Sequence, residues 1–455
     1  MKQKSLKDKK MQRDLEVQDY IDELAVKNGL DSEEDINQLH SLRNFVTKVK
    51  QDGSPQDIAG KVINHIQDIK SHRLEYEKIL IDAKKNKRLR KLTLSRIVDY
   101  LREYLGEVQL GNGYKHQPWL YGLITLCQNF SMNKVIISSP YKRTSGSFHQ
   151  LHLGSAQAGK SFSTDDLLTG SEKNGLPSHG IPFIYKFGNV SPASFPLDIY
   201  IVENSDNGYI YANDETSSWL KSSSGIINQL KIVLEGKETS WDVKQGTSVP
   251  KFKVGGNFIM CANEKYNGED QLESSNADYE AIMTRCITKG WFLNDKIADW
   301  MIKRKTLDKV NKRTAYDIRQ LMVLLHNFTK ENTIEVRLSG KQYEELVKVR
   351  EDYIQKMKKR QGIQNRDALV NTATREIESA MKIAGNLAIM NYLRKSKKTI
   401  IHVGKMEMKI AKFLLLDILK SRETRLEPQS TSSYLSDKIV SGRLQEDIAA
   451  KGRVI

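Results

Sequence analysis

The sequence contains little cysteine and no long apolar run, and each absence argues against a class of protein. Cys127, Cys261 and Cys286 are its three cysteines, with no C-x-x-C pair and no His/Cys cluster at ligand spacing. We therefore expect neither a disulfide framework nor a structural zinc site, and a reducing compartment fits. The N-terminus has no apolar signal core, and no run of about eighteen apolar residues occurs. A soluble, cytoplasmic protein without a membrane partner is expected.

Acidic residues are also few relative to basic ones. The 455 residues include 72 Lys and Arg against 56 Asp and Glu, which gives a net charge of +16, and 39% of them are hydrophobic. The apolar content is enough for about two or three packed domains. The cationic surplus favours a polyanionic partner, and nucleic acid is the first candidate, although a lysine-rich surface without such a partner gives the same surplus.

A glycine-rich loop at 154–161 ends in Lys160 and Ser161 and follows an apolar run at 148–153 that is typical of a strand. Backbone amides of such a loop surround the α- and β-phosphates of a nucleotide, the lysine reaches the β- and γ-phosphates, and the serine hydroxyl ligates Mg²⁺. The helix expected after the loop adds the positive end of its dipole. The predicted nucleotide-binding residues are Gly154, Ser155, Ala156, Gln157, Ala158, Gly159, Lys160, Ser161 and Phe162.

Changes in composition divide the chain into four predicted regions. Residues 1–112 have few glycines and prolines and show helical periodicity, which predicts a helical N-terminal domain. Residues 113–305 are richer in glycine and predict alternating strands and helices, the α/β pattern of a three-layer ATPase core behind a phosphate loop. The helical pattern returns in residues 306–424 and predicts a helical lid. The polar composition of residues 425–455 predicts a loosely held tail.

All five predicted strands lie in the ATPase core. Apolar and β-branched runs bounded by turn residues predict strands at 135–138, 148–153, 199–202, 209–212 and 258–262. A helix is predicted over 219–234 within the core, and the spacing of apolar residues predicts another over 374–388 in the lid.

Polar residues at the ends of predicted elements supply the other groups that ATP hydrolysis requires. Asp214 and Glu215 follow the run 209–212, so Asp214 can hold Mg²⁺ through water while Glu215 polarises the attacking water. Asn263 follows the next strand and would orient that water. Arg285 ends a predicted helix, from which a neighbouring subunit can offer its guanidinium to the γ-phosphate. ATP and Mg²⁺ are the expected cofactors.

The order and intervals of these motifs resemble the AAA+ ATPases and, within them, the minichromosome-maintenance (MCM) replicative helicases. The stretch 199–215 resembles that family's approach to its Walker B motif, and 230–246 resembles the helix and hairpin that it inserts before sensor 1. The resemblance covers roughly residues 145–420. It implies a P-loop AAA+ core and an ATP-dependent DNA helicase or translocase that acts in DNA replication as a hexameric ring.

The resemblance also implies roles for individual residues. Asn263 matches sensor 1, Arg285 matches the arginine finger, and Arg375 matches the sensor 2 arginine. The family carries a lysine at the tip of its hairpin, where it grips DNA in the central channel. The implied DNA-binding residues are Lys244, at the position of that tip lysine, with Lys251 and Lys253. The implied partners are single-stranded or forked DNA, further copies of the chain, and primase or other replication proteins.

Residues 1–110 depart from that family, because they show neither a zinc ribbon nor the β-rich pattern of an oligonucleotide-binding barrel. A helical module in this place is expected of a viral, plasmid or mobile-element form within a host cell. Two other interpretations remain open. A superfamily-three initiator helicase also has a phosphate loop, an acidic strand and a strand that ends in asparagine. An ATP-switched DNA-binding protein that does not translocate, such as a loader or regulator, fits the basic charge equally well.

Overall fold

Two β-sheets of five and four strands, with helices around them, form the centre of the protein, which confirms the predicted α/β class. They are seen in a computed structural model, which describes residues 2–32, 39, 54–111, 114–132, 134–154, 158–171, 175–187, 195–203, 210–220, 225–242, 248–263, 277–291, 295–305, 311–359, 366–392 and 399–426. The predicted polar tail lies outside the described residues from 427 onward.

The N-terminal part contains α1 (Lys2–Lys27), α2 (Pro55–Lys85), α3 (Leu94–Leu105), β1 (Val108–Gly111), β2 (Tyr114–His116) and α4 (Pro118–Gln128). The middle part contains β3 (Val135–Ser138), β4 (Arg143–Ser145), β5 (His149–Gly154), α5 (Asp165–Thr169), β6 (Ile184–Lys186), α6 (Phe195–Glu203), β7 (Ile210–Asn213), α7 (Ile226–Leu234), β8 (Glu238–Asp242), β9 (Ser248–Lys253), β10 (Asn257–Asn263), α8 (Ala277–Arg285) and β11 (Cys286–Trp291). The C-terminal part contains α9 (Asp295–Lys305), α10 (Lys312–Glu331), β12 (Ile334–Arg337), α11 (Gly340–Lys359), α12 (Arg366–Tyr392), β13 (Ile400–His402) and α13 (Lys405–Leu426).

Before residue 112, the described residues form the helices α1, α2 and α3 and the short strand β1. α1 and the first half of α2 bury a small apolar cluster of their own, which includes Ile63 and Ile66. α3 begins after Thr93, whose hydroxyl accepts a hydrogen bond from the Arg96 amide at 3.1 Å, and it ends before Gly106 with a φ of 74°. A capping threonine and a glycine in the left-handed region are ordinary start and stop signals of a helix.

The central sheet has five parallel strands in the order β11-β5-β10-β7-β6. β5 lies inside it, and all of its residues are buried, as expected for a parallel strand covered on both faces. Its buried polar side chains are hydrogen-bonded: Gln150 Nε2 donates to Gln128 Oε1 at 2.7 Å, and Trp291 Nε1 donates to His152 Nδ1 at 2.8 Å. The strands predicted at 148–153, 209–212 and 258–262 are confirmed as β5, β7 and β10, with small shifts at their ends.

The second sheet has the order β13-β12-β3-β4, with β12 parallel to β3 and β13 and with β3 antiparallel to β4. The strand predicted at 135–138 is therefore confirmed, but it pairs outside the central sheet. β12 and β13 interrupt the region for which helices alone were predicted, so that expectation is wrong at these strands. They contain four and three residues, too few to show a clear alternation of apolar and polar positions.

The strand predicted at 199–202 is wrong, because these residues lie in helix α6. Phe195, Ile199 and Val202 are buried and recur at the three- and four-residue spacing of a helix face. Pro196 falls in the first turn, where no intrahelical N–H donor is needed. The helix predicted over 219–234 is present from Ile226 onward as α7.

The helix predicted over 374–388 is confirmed as part of α12. Ile377, Ala384 and Leu387 belong to its buried face and to the main apolar core of the protein, which also includes residues of both sheets. Gly385 allows the helix to approach β3 closely, since a Cβ at this position would lie 2.6 Å from Ile137 Cδ1. α12 therefore packs directly on the second sheet.

Candidate nucleotide-binding site

Three of the predicted site segments meet at one edge of the central sheet. Asn263 at the end of β10 lies beside Gly154 at the end of β5 in a parallel register. β7 pairs with the other side of β10, also in parallel, so Asp214 and Glu215 follow it at the same carboxyl edge. From β5 the chain continues to strands on one side and returns to the other side as β11. Open parallel sheets bind ligands at the carboxyl edge where the strand order reverses in this way.

Two glycines shape the loop that leaves β5. A Cβ on Gly154 would collide with the carbonyl oxygen of Trp291 in β11. Gly159 has a φ of 85°, and a Cβ there would lie 2.6 Å from Met301 Sδ and 2.6 Å from the indole of Trp300. Both positions therefore require glycine. Gly154 allows β5 and β11 to pack closely, and Gly159 is needed for its backbone conformation as well as for close packing. Ser155, Ala156 and Gln157 lie outside the described residues.

Lys160 folds back across the loop. Its side chain is only 7% exposed, and Nζ donates a hydrogen bond to the Gly154 carbonyl oxygen at 2.9 Å. Burial lowers the pKa of Lys160, and the neighbouring Cys261 and Asp214 partly offset this effect. The ammonium is therefore held against the carboxyl end of β5, and it interacts electrostatically with Asp214 at the end of β7.

The helix expected after the loop is present only as a short element that begins after a 3₁₀ turn. Ser161–Ser163 form a 3₁₀ turn, and the helix that follows, α5, has five residues. Thr164 Oγ1 donates to the Lys160 carbonyl at 2.9 Å, a side-chain bond of the kind that competes with helix formation. A helix this short supplies little of the dipole that was expected to favour phosphate. Ser161 is partly exposed, while Ala158 and Phe162 are buried.

The acidic pair follows β7 in a tight turn. Asn213 Oδ1 accepts hydrogen bonds from the Glu215 amide at 2.8 Å and from Thr216 Oγ1 at 3.1 Å, and these bonds fix the turn. Asp214 and Glu215 are both exposed. The protein atoms around Asp214 remove part of its hydration, and with the charges of Asp165, Asp166 and Glu215 they raise its pKa to about 6, against the effect of Lys186.

Asp165 and Lys186 are site residues that the sequence analysis did not identify. Asp165 begins α5 and is 3% exposed, and one of its carboxylate oxygens lies 2.6 Å from Lys186 Nζ at the end of β6. Its other oxygen is buried and has no hydrogen-bond partner among the described residues. The sequence feature that could have identified Asp165 is the Asp165-Asp166 pair, which follows Lys160 closely. A phosphate site alone does not require two acidic residues there. Lys186, in a strand of three residues, gave no comparable signal.

Asn263 is the last residue of β10, between the phosphate-loop strand and the acidic strand. Its backbone position thus agrees with a role between Lys160 and the carboxylates, while its side chain lies outside what the structure describes. On the same strand, Cys261 Sγ lies 3.9 Å from Thr164 Oγ1, so β10 contacts the segment that follows the loop.

Arg285 and Arg375 lie together, but not at this edge. Arg285 precedes β11, whose first residue pairs with His149 at the opposite, amino end of β5. Its guanidinium contacts Glu235, and Nη1 donates to the Ala281 carbonyl at 2.7 Å. Arg375 Nη1 donates to Thr284 Oγ1 at 3.0 Å. Within one chain, the structure therefore does not bring these two arginines to Lys160.

The hairpin expected before Asn263 is present, since β8 and β9 pair antiparallel. Its connecting residues 243–247, which include Lys244, lie outside the described residues. Lys251 and Lys253 are exposed on β9, and residues two apart on a strand point to the same face. One face of the hairpin therefore carries Lys251 and Lys253, with Glu238 of β8 opposite Lys253.

The expected Mg²⁺ ligands do not form a complete protein cage. In the described part of the chain, no group of three or more His, Cys, Asp or Glu side chains is arranged to hold a metal ion. Ser161 and Asp214 supply one hydroxyl and one carboxylate, which fits an ion that takes its other ligands from phosphates and water. Among the helices described, none has both the length and the apolar character needed to cross a bilayer.

Comparison with known proteins adds no family to this description. No protein-family model matches the sequence, and no curated protein shows significant similarity to it.

Proposed function

We propose that the chain is an ATPase of the AAA+ type, similar to the MCM helicases, which assembles into a ring and moves a DNA strand with the energy of ATP hydrolysis. The carrying observation is that the phosphate loop, the pair Asp214–Glu215 and Asn263 converge at the carboxyl edge of one parallel sheet. Hydrolysis of a triphosphate needs these groups in one place. Their convergence is not expected of a glycine-rich turn without function.

Each residue of the edge then has a chemical role. The amides of 154–161 would hold the phosphates, and Lys160 would offset charge on the β- and γ-phosphates. Ser161 directly, and Asp214 through water, would hold Mg²⁺, which neutralises charge as the phosphoryl group transfers. Glu215 would accept a proton from the attacking water, and Asn263 would orient that water.

The arginines support a composite site shared by two subunits. Arg285 and Arg375 are adjacent at the amino edge of the sheet, away from their own phosphate loop. In a closed ring, the interface is heterologous, so the amino edge of one subunit can face the carboxyl edge of the next. The neighbour's guanidinium would then stabilise charge on the γ-phosphate in the transition state. Glu235, which now contacts Arg285, would have to release it.

The hairpin and the overall charge support DNA as the polymer. Lys251 and Lys253 are exposed on one face of β9, the strand that follows the expected tip residue Lys244 in the sequence, and the chain carries a net charge of +16. Lysines on a hairpin hold phosphates without reading bases. Binding of single-stranded DNA should therefore weaken steeply with salt and vary little with sequence.

The test compares the wild-type protein with Lys160→Ala and Lys244→Ala variants in ATP hydrolysis and in ATP-dependent separation of a forked duplex. Wild type should hydrolyse ATP faster with DNA and should separate the strands. Lys160→Ala should lose both activities, while Lys244→Ala should keep ATP binding and lose stimulation by DNA.

Three outcomes would contradict parts of this proposal. Absence of ATP hydrolysis by the wild type would reject it entirely. Unwinding by Lys244→Ala at the wild-type rate would reject the role of the hairpin tip. ATP-dependent DNA binding without strand separation would instead indicate an ATP-switched loader or regulator.

A further inference from the structure

The short link between the hairpin and β10 is held by one carboxylate. β9 ends at Lys253 and β10 begins at Asn257, and the link between them contains Gly255 and Gly256. The Gly255 amide donates to Glu203 Oε2 at 2.9 Å, and the Gly256 amide donates to Glu203 Oε1 at 3.2 Å. Two successive amides that face one anion form a small anion-binding concavity. Glu203 thus fixes the backbone where the hairpin arm becomes the strand that ends in Asn263.

The same carboxylate also contacts the acidic strand. Tyr211 of β7 is fully buried, and its hydroxyl donates to Glu203 Oε1 at 2.6 Å. β7 continues from Tyr211 into Asp214 and Glu215. One side chain therefore joins the strand that carries the acidic pair to the base of the DNA-binding hairpin.

The surroundings of Glu203 disfavour its charge in two respects. Glu203 is the last residue of α6, where the helix dipole disfavours negative charge. Burial raises the pKa of Glu203, and only the hydrogen bonds from Tyr211, Gly255 and Gly256 favour its ionised form. Keeping this carboxylate ionised is thus unfavourable in itself and depends on hydrogen bonds from the two elements that it joins.

A second contact ties α6 to the hairpin itself. Tyr200 lies one helical turn before Glu203, and its ring meets Phe252 of β9 edge-on, with 5.4 Å between centroids. Phe252 alternates with the exposed Lys251 and Lys253, so its side chain lies on the opposite face of the strand. α6 therefore packs against the face of β9 that carries Phe252 and leaves the face with Lys251 and Lys253 exposed.

We infer that Glu203 is a positioning residue that couples the nucleotide edge of β7 to the hairpin β8–β9 through Tyr211 on one side and the Gly255–Gly256 link on the other. This inference rests on the proposed function. A shift of β7 when Asp214 and Glu215 engage or release a nucleotide moves the Tyr211 hydroxyl. Glu203 follows it, and the link reorients the hairpin arm. Contiguous hydrogen-bonded contacts of this kind are a physical route for coupling between two sites.

The test uses Glu203→Gln and Tyr211→Phe, with Tyr185→Phe as the matched control. Tyr185→Phe removes a hydroxyl from the same aromatic cluster, on the neighbouring strand β6. In Glu203→Gln, the side-chain amide presents a donor where a carboxylate oxygen accepted, so the bonds to the two backbone amides cannot all be kept. Tyr211→Phe keeps the ring and removes only the bond to Glu203.

Basal ATP hydrolysis and the affinity for a mixed-sequence single-stranded oligonucleotide should stay within about twofold of wild type in both variants. Stimulation of hydrolysis by that oligonucleotide should fall at least about fivefold, which is within the usual range of coupling effects. Hydrogen exchange at 248–256 should respond to a non-hydrolysable ATP analogue in the wild type and in Tyr185→Phe. In the two test variants this response should be lost although both remain folded at the assay temperature.

The outcomes separate this inference from the proposed function. If the wild type binds no ATP, both the proposed function and the coupling through Glu203 are rejected. If the wild type hydrolyses ATP but the exchange at 248–256 does not respond to the analogue, the coupling alone is rejected. The same holds if Tyr211→Phe and Glu203→Gln respond like wild type. A lowered melting temperature with the nucleotide response intact would mean that Glu203 is only structural. Should Glu203→Gln fail to fold, Tyr211→Phe decides alone.

Discussion

Negative charge is in excess at the carboxyl edge of the sheet. Asp165, Asp166, Asp214 and Glu215 lie near one another there, as their effects on the pKa of Asp214 indicate. Lys186 pairs with Asp165 and lowers the pKa of Asp214. Burial contributes most to the raised pKa of Asp214, and the three neighbouring carboxylates disfavour its ionised form further. The edge is thus suited to a ligand that brings a divalent cation with it.

Glu215→Gln should bind ATP normally and hydrolyse it far more slowly. The substitution keeps the size of the side chain but removes the base for the attacking water, and loss of such a group costs about 10²- to 10⁴-fold in rate. Steady-state hydrolysis and retention of labelled ATP measure the two effects. Asp82→Asn, at a carboxylate of α2 that accepts a hydrogen bond from Tyr316, should leave both unchanged. Wild-type turnover by Glu215→Gln would mean that the base lies elsewhere.

Gly154→Ala should destabilise the protein by at least about 3 kcal/mol, because the added Cβ collides with the backbone carbonyl of Trp291. Gly175 is the matched control, since it has a φ of 66° but nothing within 4 Å of an added Cβ. Gly175→Ala should cost only the conformational strain, about 1–2 kcal/mol. Thermal and denaturant unfolding of the purified variants measure the difference. Equal destabilisation would contradict the close packing of β5 against β11.

At the scale of secondary-structure elements, the sequence predicted best where a pattern was long or chemically specific. α3 and α12 show helical spacing over several turns, and both are present. Residues 199–202 of α6 were predicted as a strand because a short apolar run does not distinguish a strand from a buried helix. The buried Phe195, which completes the helical spacing, lies outside that run. β12 is set by its pairing with β3, and β13 by its pairing with β12, contacts between distant parts of the chain that local patterns do not encode.

The convergence of site segments could be anticipated only in part. Lys160, Asp214 and Asn263 follow predicted strands, and parallel pairing accounts for their common edge. The Asp165–Lys186 pair joins α5 to the edge strand β6, and that proximity follows from strand order rather than sequence spacing. The partners of Arg285 and Arg375 likewise come from tertiary packing.

Glu378 joins α12 to the second sheet, and its replacement should lower stability in a pH-dependent way. Lys142 Nζ lies 2.6 Å from its carboxylate, Thr144 Oγ1 donates to it at 2.8 Å, and Lys382 Nζ lies 3.3 Å away. Burial alone would raise the pKa of Glu378, but Lys382, Lys142 and Thr144 lower it to about 2. Burial also lowers the pKa of Lys382, so loss of the carboxylate leaves a poorly hydrated ammonium.

Glu378→Gln should therefore cost about 1–2 kcal/mol near pH 7. A depressed folded-state pKa stabilises the fold above the unfolded value of about 4.5, and this contribution is lost as the pH falls towards about 2. The difference in unfolding free energy between wild type and variant should narrow across that window. Glu335→Gln is the control, because its partner Arg337 is exposed, and its effect should be much smaller. A difference that does not change with pH would contradict the ion-pair explanation.

At the scale of the whole molecule, the proposed motor requires that Arg285 act in a neighbouring subunit. Arg285→Ala and Lys160→Ala should each lose ATP hydrolysis when assayed alone, the first by about 10³-fold or more, as is usual for an arginine finger. The two should restore activity when mixed. In a mixed ring, Lys160 of an Arg285→Ala subunit can face Arg285 of a Lys160→Ala subunit, and that interface is complete. Hydrolysis measured across a titration of one variant into the other tests this.

The contact between Arg285 and Glu235 provides a control that distinguishes a catalytic role of Arg285 from a structural one. In Arg285→Ala, Glu235 keeps its other cation, Lys237, so the fold should tolerate the change. If Arg285 only stabilises the end of α8, Glu235→Gln should lower hydrolysis in the same way, and mixing should restore nothing. If Arg285 acts across an interface, Glu235→Gln should keep or increase activity, because it no longer competes for the guanidinium. Sedimentation with a non-hydrolysable nucleotide must show that both variants still assemble. Assembled mixed rings without activity would therefore reject a composite site.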